Sequence, residues 1–250
     1  MDIKVVSFNI RCANDPEGHS IEERAPRLKA ILDPIKADII GFQECQLDWE
    51  KLIERDYLDE YEMYLVRRND PESCPILWRR DRFECLEKGR FWLSDTPDVM
   101  SGGYDDLYHC YRICLWAILK DRTTGEELLY MNTHYGFGER AQNASTELIA
   151  KRAAAIADLP TVLTGDFNLT PNEPTYPTLT KYFTDVNAAT GNDTRSTYHA
   201  YFMTDIKADC HIDFCFVNDK VTPVSQVILD KSFDGKYPSD HFGILSELKI

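Results

Sequence analysis

The chain has 250 residues, 43% of them hydrophobic, and a formal net charge of −14. That length suits one large domain, and the apolar content is ample for a packed core, so a single domain over residues 1–250 is expected. No apolar run nears the roughly 18 residues of a membrane span, and the acidic balance argues against stable binding to long duplex nucleic acid, which Lys and Arg drive.

Met1-Asp2-Ile3-Lys4-Val5-Val6 enters a strand at once, with no basic segment, apolar stretch and cleavage site, so a cytoplasmic protein is expected. Eight cysteines are present, none in Cys-x-x-Cys. Cys114, Cys210 and Cys215 lie in apolar runs where cysteine behaves as a small hydrophobe, and reduced structural thiols suit the cytoplasm better than a zinc site. No obligate protein partner is evident.

Residues 3–10 predict a strand with Val6, Phe8 and Ile10 on one face and Val5, Ser7 and Asn9 on the other. Leu28, Ile31, Leu32 and Ile35 have helical spacing, with Pro26 suited to a first turn and Pro34 expected to kink or end the helix. A second strand is expected over 38–44 and a helix over 46–55. Strands follow at 76–78, 91–93, 113–119 and 128–133, with Thr124-Gly125 a turn between the last two. The clearest helix covers 139–157, followed by a strand at 161–164 and a loop rich in Pro and Asn. The last third predicts strands at 212–217, 224–229 and 243–249. No linker or compositional seam divides the chain.

Several strands stop at residues that carry chemistry. Asn9 ends Ser7-Phe8-Asn9-Ile10, Glu44 ends Gly41-Phe42-Gln43-Glu44, and His134 ends Asn132-Thr133-His134. Asp166 and Asn168 close Gly165-Asp166-Phe167-Asn168, and Ser239-Asp240-His241-Phe242 pairs an acid with an imidazole. Cleaving a phosphoester requires a cation to neutralise phosphoryl charge, a base for water and donors for the developing oxyanion. Glu44 needs a cation if buried, and an amide oxygen on Asn9 suits a hard ion such as Mg²⁺. Asp166 and Asn168, two apart, face the same way on extended backbone, placing a proton acceptor beside an amide. His134 and His241 can donate to phosphoryl oxygens. Asp213 lies inside the apolar run Ile212-Asp213-Phe214-Cys215-Phe216, where an imidazole is its natural partner. Arg112 can grip phosphate bidentately. Each has a bland alternative: a turn residue for Asn9, Asp166 and Asn168, a solvated loop acid for Glu44, a packed imidazole for either histidine, a surface ion pair for Arg112. The ordered set is what points to a metal-assisted phosphoester hydrolase.

From Ser7-Phe8-Asn9-Ile10-Arg11 to Ser239-Asp240-His241-Phe242, these motifs resemble the endonuclease/exonuclease/phosphatase superfamily. Arg90-Phe91-Trp92-Leu93-Ser94-Asp95-Thr96-Pro97, Arg112-Ile113-Cys114-Leu115-Trp116, Thr197-Tyr198-His199-Ala200-Tyr201 and Gly235-Lys236-Tyr237-Pro238-Ser239-Asp240-His241 look like a compact bacterial subgroup. The resemblance implies an α+β fold: a four-layer α/β/β/α sandwich of two mixed, mostly antiparallel sheets flanked by helices. It implies Mg²⁺, or Mn²⁺, held mainly by Glu44, with Asn9 and Asp240 completing the site directly or through water. Asp166 would activate the water and Asn168 position it. His134 and His241 would stabilise phosphoryl oxygens, with Asp213 orienting His241 and Arg112 contacting phosphate. Two departures fall beside the pocket. Tyr135 follows His134 where many relatives carry Asp or His, and His211 stands where a basic Arg or Lys is common.

The expected activity is divalent-metal-dependent hydrolysis of a phosphoester by direct attack of water, without a covalent phosphoenzyme. The acidic charge favours a small phosphorylated molecule or short oligonucleotide as substrate. The alternative from another class is a phosphate-ligand binding or regulatory relative that has lost turnover.

Overall fold

The computed structural model describes residues 1–104, 107, 109–202 and 210–250. Strand β1 (Asp2–Asn9) leads into helix α1 (Ile21–Ile35), β2 (Ile39–Gln43), α2 (Leu47–Tyr57), β3 (Tyr61–Tyr64), β4 (Ile76–Arg79), β5 (Phe83–Trp92), β6 (Ile113–Asp121) and β7 (Glu127–His134). There follow α3 (Glu139–Ile156), β8 (Thr161–Asp166), α4 (Tyr176–Thr180), β9 (Thr184–Asp185), α5 (Val186–Thr190), β10 (Asp213–Val217), β11 (Thr222–Leu229) and β12 (Gly243–Lys249). The strands form two six-stranded sheets, ordered β11-β12-β1-β2-β4-β3 and β5-β6-β7-β8-β10-β9. Each sheet has one parallel pair, β1 with β2 and β7 with β8, while its other pairings are antiparallel. The expected sandwich of two mixed sheets with outer helices is therefore what forms.

The alternation in β1 shows how the layers arise. Ile3 and Val5 point into a core shared with residues of the second sheet, such as Leu115, Tyr130 and Val162. Val6, Phe8 and Ile10 point the other way and pack under α1 and α2. On the second sheet, Met131, Leu163 and Phe214 pack outward under α3 and α4. Successive side chains of a strand take opposite faces, so a strand apolar on both faces must lie between two layers.

Towards the ends of β1, β2, β7 and β8 the inter-sheet core turns polar. Gln43 Nε2 donates to Ser7 Oγ at 3.1 Å and to Asn132 Oδ1 at 2.7 Å, while Asn132 Nδ2 donates to the Phe42 carbonyl at 2.8 Å. Thr164 Oγ1 donates to Asn132 Oδ1 at 3.1 Å. A Cβ on Gly41 would come within 2.5 Å of the Tyr130 hydroxyl and 2.6 Å of Asn132 Oδ1. Only glycine permits the two sheets to approach closely enough for this network.

Helix α1 starts earlier than the spacing predicts. Ser20 accepts from the Glu23 N–H, and the Glu23 side chain returns to the Ser20 backbone, a capping box that starts the helix at Ile21. Pro26 is thus interior, and the Glu22 carbonyl it leaves without a helical partner belongs to an exposed residue. Pro34 lies in the last turn, and Lys36, left-handed at φ 49°, closes the helix. Strand β5 begins at Phe83, eight residues before the expected start, and β3 and β9 were not foreseen. No helix among the described residues is long and apolar enough to cross a membrane.

Candidate active site

Register assembles one row of the site directly. In the second sheet His134 lies opposite Asp166 across the parallel pair, and Asp166 lies opposite Asp213 across the antiparallel one. In the first sheet Asn9 lies opposite Gln43, which places Glu44 just beyond the strand end. These ends open into a cavity of about 730 Å³ whose lining includes Glu44, Arg112, His134, Asp166, Asn168, Asp240 and His241. Asn9 and Asp213 stand immediately behind it through the contacts below.

Glu44 sits at φ 60°, in the left-handed region that a non-glycine residue enters only when its surroundings hold it there. Its Oε1 accepts from Asn9 Nδ2 at 3.1 Å and its Oε2 from the Cys12 N–H at 2.9 Å. Burial pushes this carboxyl up, but the Cys12 N–H and thiol, His241 and Asn9 together hold it below the usual carboxylate range. Asn9 is fully buried, and its Nδ2 also donates to Asp166 Oδ2 at 2.9 Å while Oδ1 accepts the Arg11 N–H at 3.0 Å. Its amide thus ties two carboxylates together and turns its oxygen to backbone, where sequence suggested an oxygen offered to a cation.

Asp166 is 1% exposed, and its Oδ1 accepts the Asn168 N–H at 2.9 Å. Its Oδ2 lies 3.5 Å from His134 Nε2 and 3.8 Å from His241 Nε2. Burial and then repulsion from Asp213 push this carboxyl up to about 7, against the pull of His241. Asn168, also left-handed at φ 49°, donates from Nδ2 to the Tyr135 carbonyl at 2.9 Å. His241 Nδ1 lies 2.9 Å from Asp213 Oδ2. Burial opposes charge on His241, but Asp213, then Asp166 and Asp240, raise it to about 10. Burial also pushes the Asp240 carboxyl up, and its Oδ2 lies 3.5 Å from Arg11 Nε.

Four contributors escaped the sequence reading: Arg11, the backbone of Cys12, Arg68 and Glu72. Arg68 and Glu72 come from the irregular segment between β3 and β4, where no periodicity points to burial. Arg68 Nη2 meets Glu72 Oε2 at 2.8 Å, and Glu72 Oε1 faces His134 Nδ1 at 3.8 Å. Burial pushes the Glu72 carboxyl up to about 7 against the pull of Arg68. Burial, then Arg112 and Arg68, hold His134 well below the usual imidazole value. The available signal was the i,i+4 spacing of Arg68 and Glu72 just before the apolar strand at Ile76.

A hard cation fits this donor set. Glu44 and Asp240 are acids that line the cavity, and a cation between them would relieve the repulsion that Glu44 exerts on Asp240. Asp166, Asp213 and His241 form another group with ligand atoms within 4.8 Å of one another. There, Asp213 takes His241 Nδ1 and Asp166 Oδ2 lies 3.8 Å from Nε2, and the acids around the ring favour a proton on it. A second hollow, about 560 Å³ at the opposite end of β1, contains Asp38 already paired with Arg82 at 2.6 Å and no imidazole.

A crystal structure of an endonuclease/exonuclease/phosphatase from Bacteroides vulgatus is 31% identical, with a TM-score of 0.90 over 100% of this chain and 99% of that one. The structure of a mannosyl-6-phosphatase from Bacteroides thetaiotaomicron is 29% identical, with a TM-score of 0.88 over 99% of this chain and 100% of that one. An uncharacterised protein of Acanthamoeba polyphaga mimivirus is 29% identical over 185 residues, 66% of this chain and 67% of the viral protein. The chain spans about a third of the length of two further curated relatives. The sequence model of the Endonuclease/Exonuclease/phosphatase family matches residues 6–241, and the chain belongs to that family.

Proposed function

We propose that the chain, as one domain, is a phosphoester hydrolase that uses Mg²⁺ or Mn²⁺ and attacks phosphorus directly with water. The observation that carries this reading is the convergence of Glu44, Asp166, Asn168, His134, His241, Asp240 and Arg112 on one cavity. Glu44 and Asp240 would hold the cation, with Asn9 supporting Glu44 and completing the site directly or through water. When bound, the cation neutralises phosphoryl charge. Asp166 takes the proton as the water oxygen bonds to phosphorus and the bond to the leaving oxygen breaks, and Asn168 positions that water. His241, cationic through Asp213, and neutral His134 donate to the phosphoryl oxygens, and Arg112 binds phosphate. No side chain is assigned as nucleophile, so rapid-quench mass spectrometry should find no phosphoenzyme.

The net charge of −14 and the walled cavity favour a small phosphorylated molecule over a polymer, with short oligonucleotides second. The similarity to a mannosyl-6-phosphatase of matching length puts sugar phosphates first. Cys12, Cys45, Cys74, Cys85, Cys114 and Cys215 are free thiols, which suits a reducing cytoplasm.

The test is hydrolysis of sugar phosphates, an aryl phosphomonoester, a bis-aryl phosphodiester and short single-stranded RNA and DNA, with and without Mg²⁺ or Mn²⁺. Glu44→Ala should fold and lose metal-dependent turnover, and Asp166→Asn should lose about 10²–10⁴-fold. Folded, metal-loaded protein that binds phosphate yet cleaves nothing would favour the binding or regulatory alternative.

A further inference from the structure

Arg24 is wholly buried on α1, and among the described residues it forms no ion pair with a carboxylate. Its guanidinium instead donates to five carbonyls: His19 at 2.8 Å, Ile10 at 2.6 Å, Pro238 at 3.4 Å, Arg11 at 3.0 Å and Ala13 at 2.5 Å. The guanidinium also lies over the Trp49 ring at 5.2 Å, and Trp49 Nε1 donates to the same Arg11 carbonyl at 2.8 Å. Burying a charge this way is costly unless its donors are satisfied, and here the acceptors come from the two segments that carry Asn9, Cys12 and Asp240.

The peptide bond explains what this clamp does to the site. In a planar trans peptide the C=O and the following N–H point in opposite directions. Holding the Arg11 carbonyl on the Arg24 side therefore turns the Cys12 N–H to the other side, where it meets Glu44 Oε2 at 2.9 Å. Holding the Ile10 carbonyl likewise turns the Arg11 N–H onto Asn9 Oδ1 at 3.0 Å. Arg11 pays for this with a left-handed φ of 57°, a conformation that persists only where surrounding contacts dictate it.

We infer that Arg24 is a positioning residue for the cation site: it aims two backbone N–H groups at Glu44 and Asn9 and ties the Asp240 segment to them. Its substitution therefore weakens divalent-cation binding even where the fold survives. The inference rests on the reading of Glu44 and Asp240 as cation ligands.

The experiment is calorimetric titration of Mn²⁺ into metal-free protein, well below the unfolding midpoint, for wild type, Glu44→Ala, Arg24→Lys and Arg24→Met. Ile149→Ala, which opens the core beneath α3, serves as a destabilised control. The expected result is binding in wild type and Ile149→Ala, none in Glu44→Ala, and at least tenfold weaker affinity in both folded Arg24 variants. Lysine keeps the charge but cannot reproduce the fork, so wild-type affinity in Arg24→Lys and Arg24→Met would overturn the inference while leaving the cation reading intact. Wild-type protein that binds no Mn²⁺ would overturn the cation reading and this inference with it. If neither Arg24 variant folds, Trp49→Phe removes one of the two side-chain donors to the Arg11 carbonyl. Affinity weakened about threefold supports the inference, and unchanged affinity overturns it.

Discussion

His241 and His134 each have a carboxylate behind one ring nitrogen and Asp166 Oδ2 before the other, yet the structure gives them opposite charge states. His241 meets Asp213 at 2.9 Å among Asp166 and Asp240, and is held cationic. His134 faces Glu72 at 3.8 Å, with Arg112 and Arg68 around it, and is held neutral. Glu72 differs from Asp213 because Arg68 already takes its other oxygen. Burial disfavours charge on both rings; the acids around His241 overcome it, whereas Arg112 and Arg68 add to it at His134, which leaves the site polarised across the shared Asp166 carboxylate.

The strongest way to break this contrast is Asp213→Asn. Losing one partner of a buried charged pair costs about 3–5 kcal/mol, so His241 should become neutral, turnover should collapse and chemical unfolding should show the lost stability. Wild-type turnover in that variant would remove the charge on His241 from the mechanism. Glu72→Gln tests the other arm. An orienting partner of a site residue is worth about tenfold, so turnover should fall by about that factor with stability nearly unchanged. A loss as deep as that of Asp213→Asn would mean the two pairs are equivalent.

The mildest test is pH, on metal-free protein. The raised value of His241 adds stability that is fully present below about 6.5 and is lost as pH rises towards 10. The lowered value of His134 works in the opposite sense, costing stability as pH falls below about 6.5. Nitrogen-15 spectra of the imidazoles at pH 7 should show one protonated ring at His241 and a neutral one at His134. Two rings titrating together near 6.5 would abolish the distinction. Asp213→Asn should remove the alkaline limb of the stability profile and spare the acid limb.

The sandwich and the row His134, Asp166, Asp213 were legible because apolar strands announce themselves and a polar residue at their end, or a carboxylate within one, stands out. Glu72 and Arg68 were not, because their segment has no period and their partner His134 is a tertiary neighbour. Arg24 was hidden differently. Beside Glu22 and Glu23 it reads as part of a solvated face, yet Ile21, Arg24, Ala25, Leu28, Ile31 and Leu32 form one buried stripe. Helical phase placed it inside while residue type suggested outside. The capping box at Ser20, which sets that phase, was the overlooked clue. The direction of the Asn9 amide could not be read at all, since it depends on a backbone N–H and two acids brought in by the fold.

Strand β12 lies between β11 and β1, and Ser239 donates to the Asn9 carbonyl at 2.6 Å across 230 residues of sequence. A ribosome that has released Asn9, Glu44, His134 and Asp166 has therefore still not made the acid and imidazole that face them. Contacts of such sequence separation also slow folding, because the chain must be brought together before they can form. Assembly of the site thus waits on residues 239–241, and fragments that end before Asp240 lack its acid and imidazole, however well their earlier strands have paired.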